Sequence, residues 1–595
     1  MIYFITYTYT YTYIHTMQAI FKHIWSNVDQ QMQPSEQRIF SATKFRNSLL
    51  KDPILDFLNL HGEKYGFQKD ESNDSYDEYI MNRGNEFEAY IIESLSEKFK
   101  QFSFIDVGHK YERFNDDGVE ETINHMKNGV DIIYQGYLSD KDLCIYGIPD
   151  LMIRIDKIKE LFSIHSDFDI SRLRLNKSFE YSYVIVDIKL STIKFGKKGK
   201  VKSDENIRIY KSQLFIYNKI LNNILYEKSE IESKFIQPNV FLLSPRIIIP
   251  DNIVLDGKKN ISRINLDLDQ SIAGDVRIAL NWLKELHTNG HNWDIFDSKL
   301  RPNMNNKKDY PWHNAKTILA KQQNELTQYL GISNSDSINI LKKRLTMDDH
   351  IQTIQNPKKR KLIEGIQKMN SDSDDDKMIF NLTSDMKLEI KKCLNKMNFY
   401  VDFEFISGCE LNFEPNFRSH LYLIGMGYEV DKKFMFESFI VNCLNDFNEK
   451  MIINHWISRM RIIASNKNCQ DYQIIHWTNA EPNLFNKLKD NLNIRGMLKW
   501  YDLHKLLKEN NIMFKKMQGF GLKNVAKSMK KLGHIESDWD DDLTNGMAAN
   551  MIIIRGIQAN IPKFIEFPGI DKLIHYNKID CITLWEIVNF IRLQI

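Results

Sequence analysis

The run YSYVIVDIKL, residues 181–190, sets an aspartate and a lysine two apart inside an apolar, strand-like segment. Residues two apart on a strand share a face, so Asp187 and Lys189 point the same way. Thirty-seven residues before Asp187, GIPDLMIR places Asp150 directly after a turn fixed by Pro149. Two carboxylates beside one ammonium in apolar surroundings are unfavourable unless the charges are paired or coordinate a cation. Oxygen ligands of this kind suit Mg²⁺ or Mn²⁺. A metal held by Asp150 and Asp187 would polarise a phosphate ester and lower the pKa of bound water. Lys189 would then position the nucleophile or neutralise charge in the transition state. The chemistry expected is phosphodiester hydrolysis.

At 595 residues and about 150 residues per domain, the chain has room for several domains. With 43% hydrophobic and 27% charged residues it has the composition of a folded chain and not of a disordered one. Lys and Arg nearly balance Asp and Glu, leaving +2, so any nucleic-acid surface must come from local clustering of charge. The six cysteines form no CxxC pair, which argues for a reducing compartment and against a zinc or iron–sulfur module. No apolar run approaches the roughly 20 residues of a membrane span and no signal peptide is legible. The expectation is an intracellular protein without a membrane partner. The opening Tyr-Thr tandem reads as a strand or, preferably, as translated simple repeat ahead of a true start at Met17.

Apolar spacing predicts helices over Ser41–Leu60 and Arg83–Lys100, the second with Phe87, Ile91, Leu95 and Phe99 on one stripe. The runs DIIYQGYL, LCIYGIPDLMIRI and YSYVIVDIKL read as strands, followed by a helix over Asn206–Leu221. Short helices are expected over Trp312–Asp349, then a solvated acidic run, NSDSDDDK. Beyond a boundary near Met378–Lys387 come strands NFYVDFEFI, HLYLIGMGYEV and KFMFESFIV, a helix over Phe447–Ile463, a strand QIIHW and further helices. The division expected is an extension at 1–40, a first α/β domain at 41–300, a helical insert and linker at 301–385, and a second α/β domain at 386–595.

The first domain resembles the PD-(D/E)XK nuclease superfamily, with Pro149-Asp150 as the PD and Asp187-Ile188-Lys189 as the D-x-K. RGNEFEAYI resembles the family's first motif, which implies a helix whose Glu88 supplies another metal carboxylate. KSQLFIYNK puts Gln213 and Tyr217 at i, i+4, similar to the QxxxY motif of the RecB-like branch. The resemblance implies that these two orient the lysine or contact the DNA strand. Between strand and helix lies a basic loop; Lys194, Lys197, Lys198 and Lys200, with Lys211 on the helix, would track phosphates with salt-dependent affinity. Relatives with an iron–sulfur cluster need four cysteines around this fold. Here only Cys144 falls in it, so no cluster is expected.

In the second domain YVDFEF sets Asp402 and Glu404 on one face of a strand, and the same metal argument applies. It resembles the D-x-E motif of the RNase H-like DEDD exonucleases. HWTNAE offers His476 and, five residues later, Glu481, where the family has Asp. Tyr576 and Asp580, one helical turn apart in YNKID, match the third motif. The resemblance implies two metals held by Asp402, Glu404, Glu481 and Asp580, with Asp502 as reserve ligand and Tyr576 holding the attacking water. It also implies a helix over the substrate groove carrying Lys523.

The whole order, over most of Ser41–Ile595, resembles the predicted RecB-family nucleases that carry a C-terminal ribonuclease H-like domain. This implies an α/β protein: a restriction-endonuclease-like domain and an RNase H-like domain joined by a small helical region. The expected activity is metal-dependent hydrolysis of DNA, in repair, recombination or replication, with the PD-(D/E)XK site as main catalyst. One alternative is a DEDD-like 3′–5′ exonuclease or ribonuclease with the N-terminal domain as a clamp; another is a non-catalytic nucleic-acid-binding scaffold. No G-x-x-x-x-G-K-[ST] motor motif is present, so processive action would need a separate helicase. PKKRK at Pro357–Lys361 matches a nuclear-import signal, which sets the nucleus beside the cytoplasm.

Overall fold

The structure, a computed structural model, describes residues 38–595 apart from 71–75, 112–113, 165–174, 198, 227, 270, 371–376, 381, 470 and 540–545. The Tyr-Thr repeat, Met17, Lys198 and most of the acidic run lie outside the described residues. The described chain is a mixed α/β protein with several sheets and many helices. No described helix is long and apolar enough to cross a membrane.

The stripe Phe87, Ile91, Leu95 and Phe99 is buried on helix α1 (Tyr76–Phe99). It packs on a sheet whose centre is β1 (Ile132–Tyr134), β2 (Leu151–Arg154) and β3 (Tyr183–Ile188), antiparallel neighbours in that order. Helix α2 (Glu205–Leu225), N-capped by Asp204, crosses over to β4 (Asn239–Leu243), which pairs parallel to β3. Strands at the edges extend this to a seven-stranded sheet among the described residues. β3 is buried from end to end because both its faces are covered. Val184, Val186 and Ile188 pack toward α1, while Tyr183 and Ile185 pack toward α2. Asp187, in step with Tyr183 and Ile185, faces the α2 side.

Two of the strand-like runs are each divided in two. DIIYQGYL divides into β1 and Leu138–Asp140, and LCIYGIPDLMIRI into Ile145–Gly147 and β2; the outer pieces form a separate small sheet. The first break falls at Gln135, whose φ is +48°, and the second at Pro149. A left-handed residue and a proline both interrupt the ladder. The bend carries Gln135 toward α1.

The second sheet has the spatial order β7-β6-β5-β8-β9, with β5 (Met397–Ile406), β6 (His420–Val430), β7 (Lys433–Ile440), β8 (Tyr472–His476) and β9 (Trp500–Asp502). The first three are an antiparallel meander; β8 runs parallel to β5 and β9 parallel to β8. Helix α3 (Asp446–Asn466) buries Ile453, Trp456 and Met460 against this sheet. Helices α4 (Ala480–Leu492), α5 (Leu522–Lys531), α6 (Gly546–Gln558) and α7 (Ile570–Gln594) follow, α7 crossing β5 and β6.

The segments between the sheets are not loose spacers. Lys316 is wholly buried and ion-paired to Asp52 (2.8 Å) and Asp309 (2.9 Å), joining the helix His313–Gln322 to the N-terminal helices. The helix Pro357–Asn370 buries Ile366 and Met369 in a core with Phe514 and Ile587, and Met378–Ile379 pairs with Met513–Phe514. Between β5 and β6 an arm reaches across to α1. Phe413 lies 5.2 Å, centroid to centroid, from both Phe87 and Tyr90, with the Arg83 guanidinium 4.1 Å over its ring. The Tyr90 hydroxyl donates to Glu414 at 3.2 Å.

Candidate metal centres

The first centre forms at the ends of β2 and β3, with α2 on the Asp187 side and Glu88 of α1 acting on Asp150. Asp187 is completely buried, and its Oδ2 lies 2.8 Å from Lys189 Nζ. Its Oδ1 accepts no hydrogen bond among the described residues, although a buried carboxylate oxygen ordinarily has a partner. Asp150 Oδ2 accepts from the Ile188 amide at 2.5 Å and stands 3.9 Å from Lys189 Nζ. Burial and the Asp187 carboxylate raise the Asp150 pKa well above the usual range. Burial pulls the Lys189 pKa down, but Asp187 and Asp150 outweigh it and hold the ammonium above its ordinary value. An oxygen-only donor set with an orphaned acceptor fits a divalent cation.

Glu88 comes within electrostatic reach of Asp150 but is held by two partners that the motif reading did not include. Glu88 Oε1 accepts from the Tyr134 hydroxyl (2.8 Å) and from Gln135 Nε2 (2.9 Å). The sequence signal was present: a Tyr-Gln pair interrupts an otherwise apolar run. Gln213 Nε2 donates to the Tyr217 hydroxyl at 2.6 Å. Tyr217 itself is buried, its ring against Gly147, where a Cβ would come within 2.1 Å. Lys194, Lys197 and Lys200 are exposed on a hairpin closed by Phe195 and Val201. Lys211 is not part of that exposed set; it is buried and paired with Asp269 at 3.1 Å.

The second centre is the more convergent. Asp402 and Glu404 on β5 and Asp580 on α7 each offer an oxygen, and the three lie within 4.8 Å of one another. A bulge in the β5–β6 pairing follows Glu404, the local device by which a strand re-aims side chains. Asn577 Nδ2 donates to Asp402 Oδ2 at 2.7 Å. This residue sits inside YNKID, one position from Tyr576, and was missed because the motif names only the tyrosine and the aspartate. A cavity of about 380 Å³ opens on the cluster, lined also by Trp477, Lys523, Asn524 and Tyr576.

Burial and mutual repulsion dominate the electrostatics here. Burial, then Asp580 and Glu481, pushes Glu404 up to about 8. Burial pushes Asp580 up to about 7 against the pull of Lys523, and Asp402 is raised well above its usual range by burial, Asp580 and Glu404. Burial lowers the Lys523 pKa and raises that of Tyr576. Carboxylates so crowded are poised to exchange protons for a metal. Glu481 stands outside the group of three; it is buried with Oε2 3.7 Å from His476 Nδ1. Asp502 caps the helix Leu503–Glu509 by accepting from the Lys505 amide at 2.9 Å.

Comparison of the chain with protein-family models, with curated proteins and with solved structures gives no match.

Proposed function

We propose that the protein is a divalent-cation-dependent nuclease that hydrolyses phosphodiester bonds of DNA. The observation that carries this reading is the convergence of Asp402, Glu404 and Asp580 within 4.8 Å, on segments far apart in sequence, at the floor of an open cavity. The strand order β7-β6-β5-β8-β9, with an acidic pair on the central strand, supports an RNase H-like reading of this half. The antiparallel β1-β2-β3 followed by a crossover to parallel β4 supports a PD-(D/E)XK reading of the other, where Asp150, Asp187 and Lys189 gather.

Both centres present hard oxygen donors, for which Mg²⁺ or Mn²⁺ is the matching ion. Such an ion supplies Lewis acidity to the phosphate and acidifies water. In the N-terminal centre, Asp150 and Asp187 would hold it, and Lys189 would set positive charge beside the phosphate. Exposed Lys194, Lys197 and Lys200 would meet the strand's phosphates. In the C-terminal centre Asp402, Glu404 and Asp580 would hold the ion, and Tyr576 would orient water. A second reading keeps the C-terminal centre as the sole hydrolase and the N-terminal fold as a clamp; it is favoured by the hydrogen bonds that engage Glu88.

The test is cleavage of 5′- and 3′-end-labelled single-stranded DNA, duplex DNA and RNA with Mg²⁺ or Mn²⁺, in wild type, Asp187→Ala and Asp402→Ala. Each variant is expected to lose one cleavage activity. Loss in Asp402→Ala alone supports the clamp reading, and preferential cleavage of RNA reassigns the substrate. Absence of cleavage by the wild type overturns the proposal in favour of a binding scaffold.

A further inference from the structure

We propose that the C-terminal centre works with one divalent cation and that Lys523 supplies the second positive charge at the reacting phosphate; this rests on the nuclease reading above. Three carboxylates converge there, and the fourth acid that a two-metal site would use, Glu481, stands outside the group, buried with its Oε2 3.7 Å from His476 Nδ1. Lys523, second residue of α5, lines the same cavity as Asp402, Glu404 and Asp580. Its Nζ lies 4.6 Å from the ring centre of Tyr576 and 5.1 Å from that of Trp539, aromatic faces that hold a cation in place. Tyr576 is one helical turn from Asp580, so the ammonium is fixed next to the carboxylates.

The charge count agrees. In a two-metal site four carboxylates balance two divalent ions. Here the three converging carboxylates are matched by one divalent ion and one ammonium. In hydrolysis the water oxygen bonds to phosphorus as the bond from phosphorus to the sugar oxygen breaks. One water proton is released and the departing oxygen takes one up. Lys523 enters and leaves the step protonated, acting on the charge of the non-bridging oxygens.

Manganese titration calorimetry on the full chain, wild type against Asp402→Asn, counts the ions that this centre holds. One ion lost per chain is the expected result; two overturns the proposal. In an Asp187→Asn background, which isolates this centre, Lys523→Ala is expected to lower kcat on single-stranded DNA about 100-fold. Its Mn²⁺ affinity should stay within about threefold, short of the tenfold or more that follows loss of a group supporting a ligand. Lys523→Arg should recover part of the rate. Unchanged kcat, or loss of the ion in Lys523→Ala, overturns the assignment. If the wild type cleaves nothing, the nuclease reading fails on its own. The ion count, and whether Lys523→Ala weakens binding of a labelled oligonucleotide, then still decide this proposal.

Discussion

Asn577 is pinned between Asp402 and Gly425. Its amide donates to Asp402 Oδ2 at 2.7 Å, and Gly425, paired with Asp402 across β5 and β6, leaves the space it occupies. A Cβ on Gly425 would stand 1.8 Å from Asn577 Oδ1 and 3.1 Å from Cys581 Sγ. Gly425→Ala is therefore expected to destabilise the fold by about 1–3 kcal/mol through overpacking and to weaken Mn²⁺ binding at this centre. Urea unfolding and calorimetry report the two effects. Asn577→Ala should weaken the ion without the overpacking.

The raised carboxylates of the C-terminal centre give stability a definite pH sign. Glu404, near 8, and Asp580, near 7, both lie above their unfolded values. Their protonated forms are thus favoured in the metal-free fold, and that stability, full below their unfolded values, falls as pH rises above those values and is lost by about 7 and about 8. The metal-free protein should melt lower at about pH 8.5 than at about pH 6. Mn²⁺ affinity should rise over the same window, because binding must displace protons. Thermal melts with and without Mn²⁺ check this, and Asp580→Asn should flatten the dependence.

Gly147 does for the first centre what Gly425 does for the second. Its missing Cβ admits the Tyr217 ring, so Gly147→Ala should cost about 1–3 kcal/mol and reduce cleavage at the Asp187 centre. Tyr217→Phe keeps the ring and removes only the hydroxyl that accepts from Gln213, a loss of about 1 kcal/mol. A rate that falls in the glycine variant but survives in Tyr217→Phe would assign the ring a packing role.

Glu481 and Asp580 should part company on substitution. Asp580→Asn removes one of the three converging oxygens and is expected to lower Mn²⁺ affinity at least about tenfold. Glu481→Gln should change it far less and act on stability, since Glu481 is buried against His476. Equal losses in calorimetry would place Glu481 among the ligands.

Much of this arrangement was legible because it rests on local periodicity. The stripe Phe87, Ile91, Leu95, Phe99 was readable as a buried helix face, and the charges two apart in VDFEF and VIVDIK as same-face pairs on apolar strands. What the sequence hid was long-range. Nothing local shows that Gln135 turns left-handed and so brings its amide to Glu88, or that Asn577 crosses to Asp402. Lys211, on the helix, was grouped with the basic loop as a phosphate contact because its partner Asp269 is 58 residues away. Glu481 matched by spacing, yet it stands outside the three converging carboxylates, a placement that no local pattern shows.

The arm between β5 and β6 carries a consequence for how such a chain can be divided. Phe413 sits in a socket made by Phe87, Tyr90 and Arg83, and Arg246 covers Phe417 at 5.2 Å. A cut in the acidic run near residues 371–376 would leave each half with an uncovered aromatic surface, one a plug and the other its socket. The two halves are therefore not interchangeable modules. A homologous half transplanted from another chain would need to bring a matching plug or socket, so plug and socket should change together.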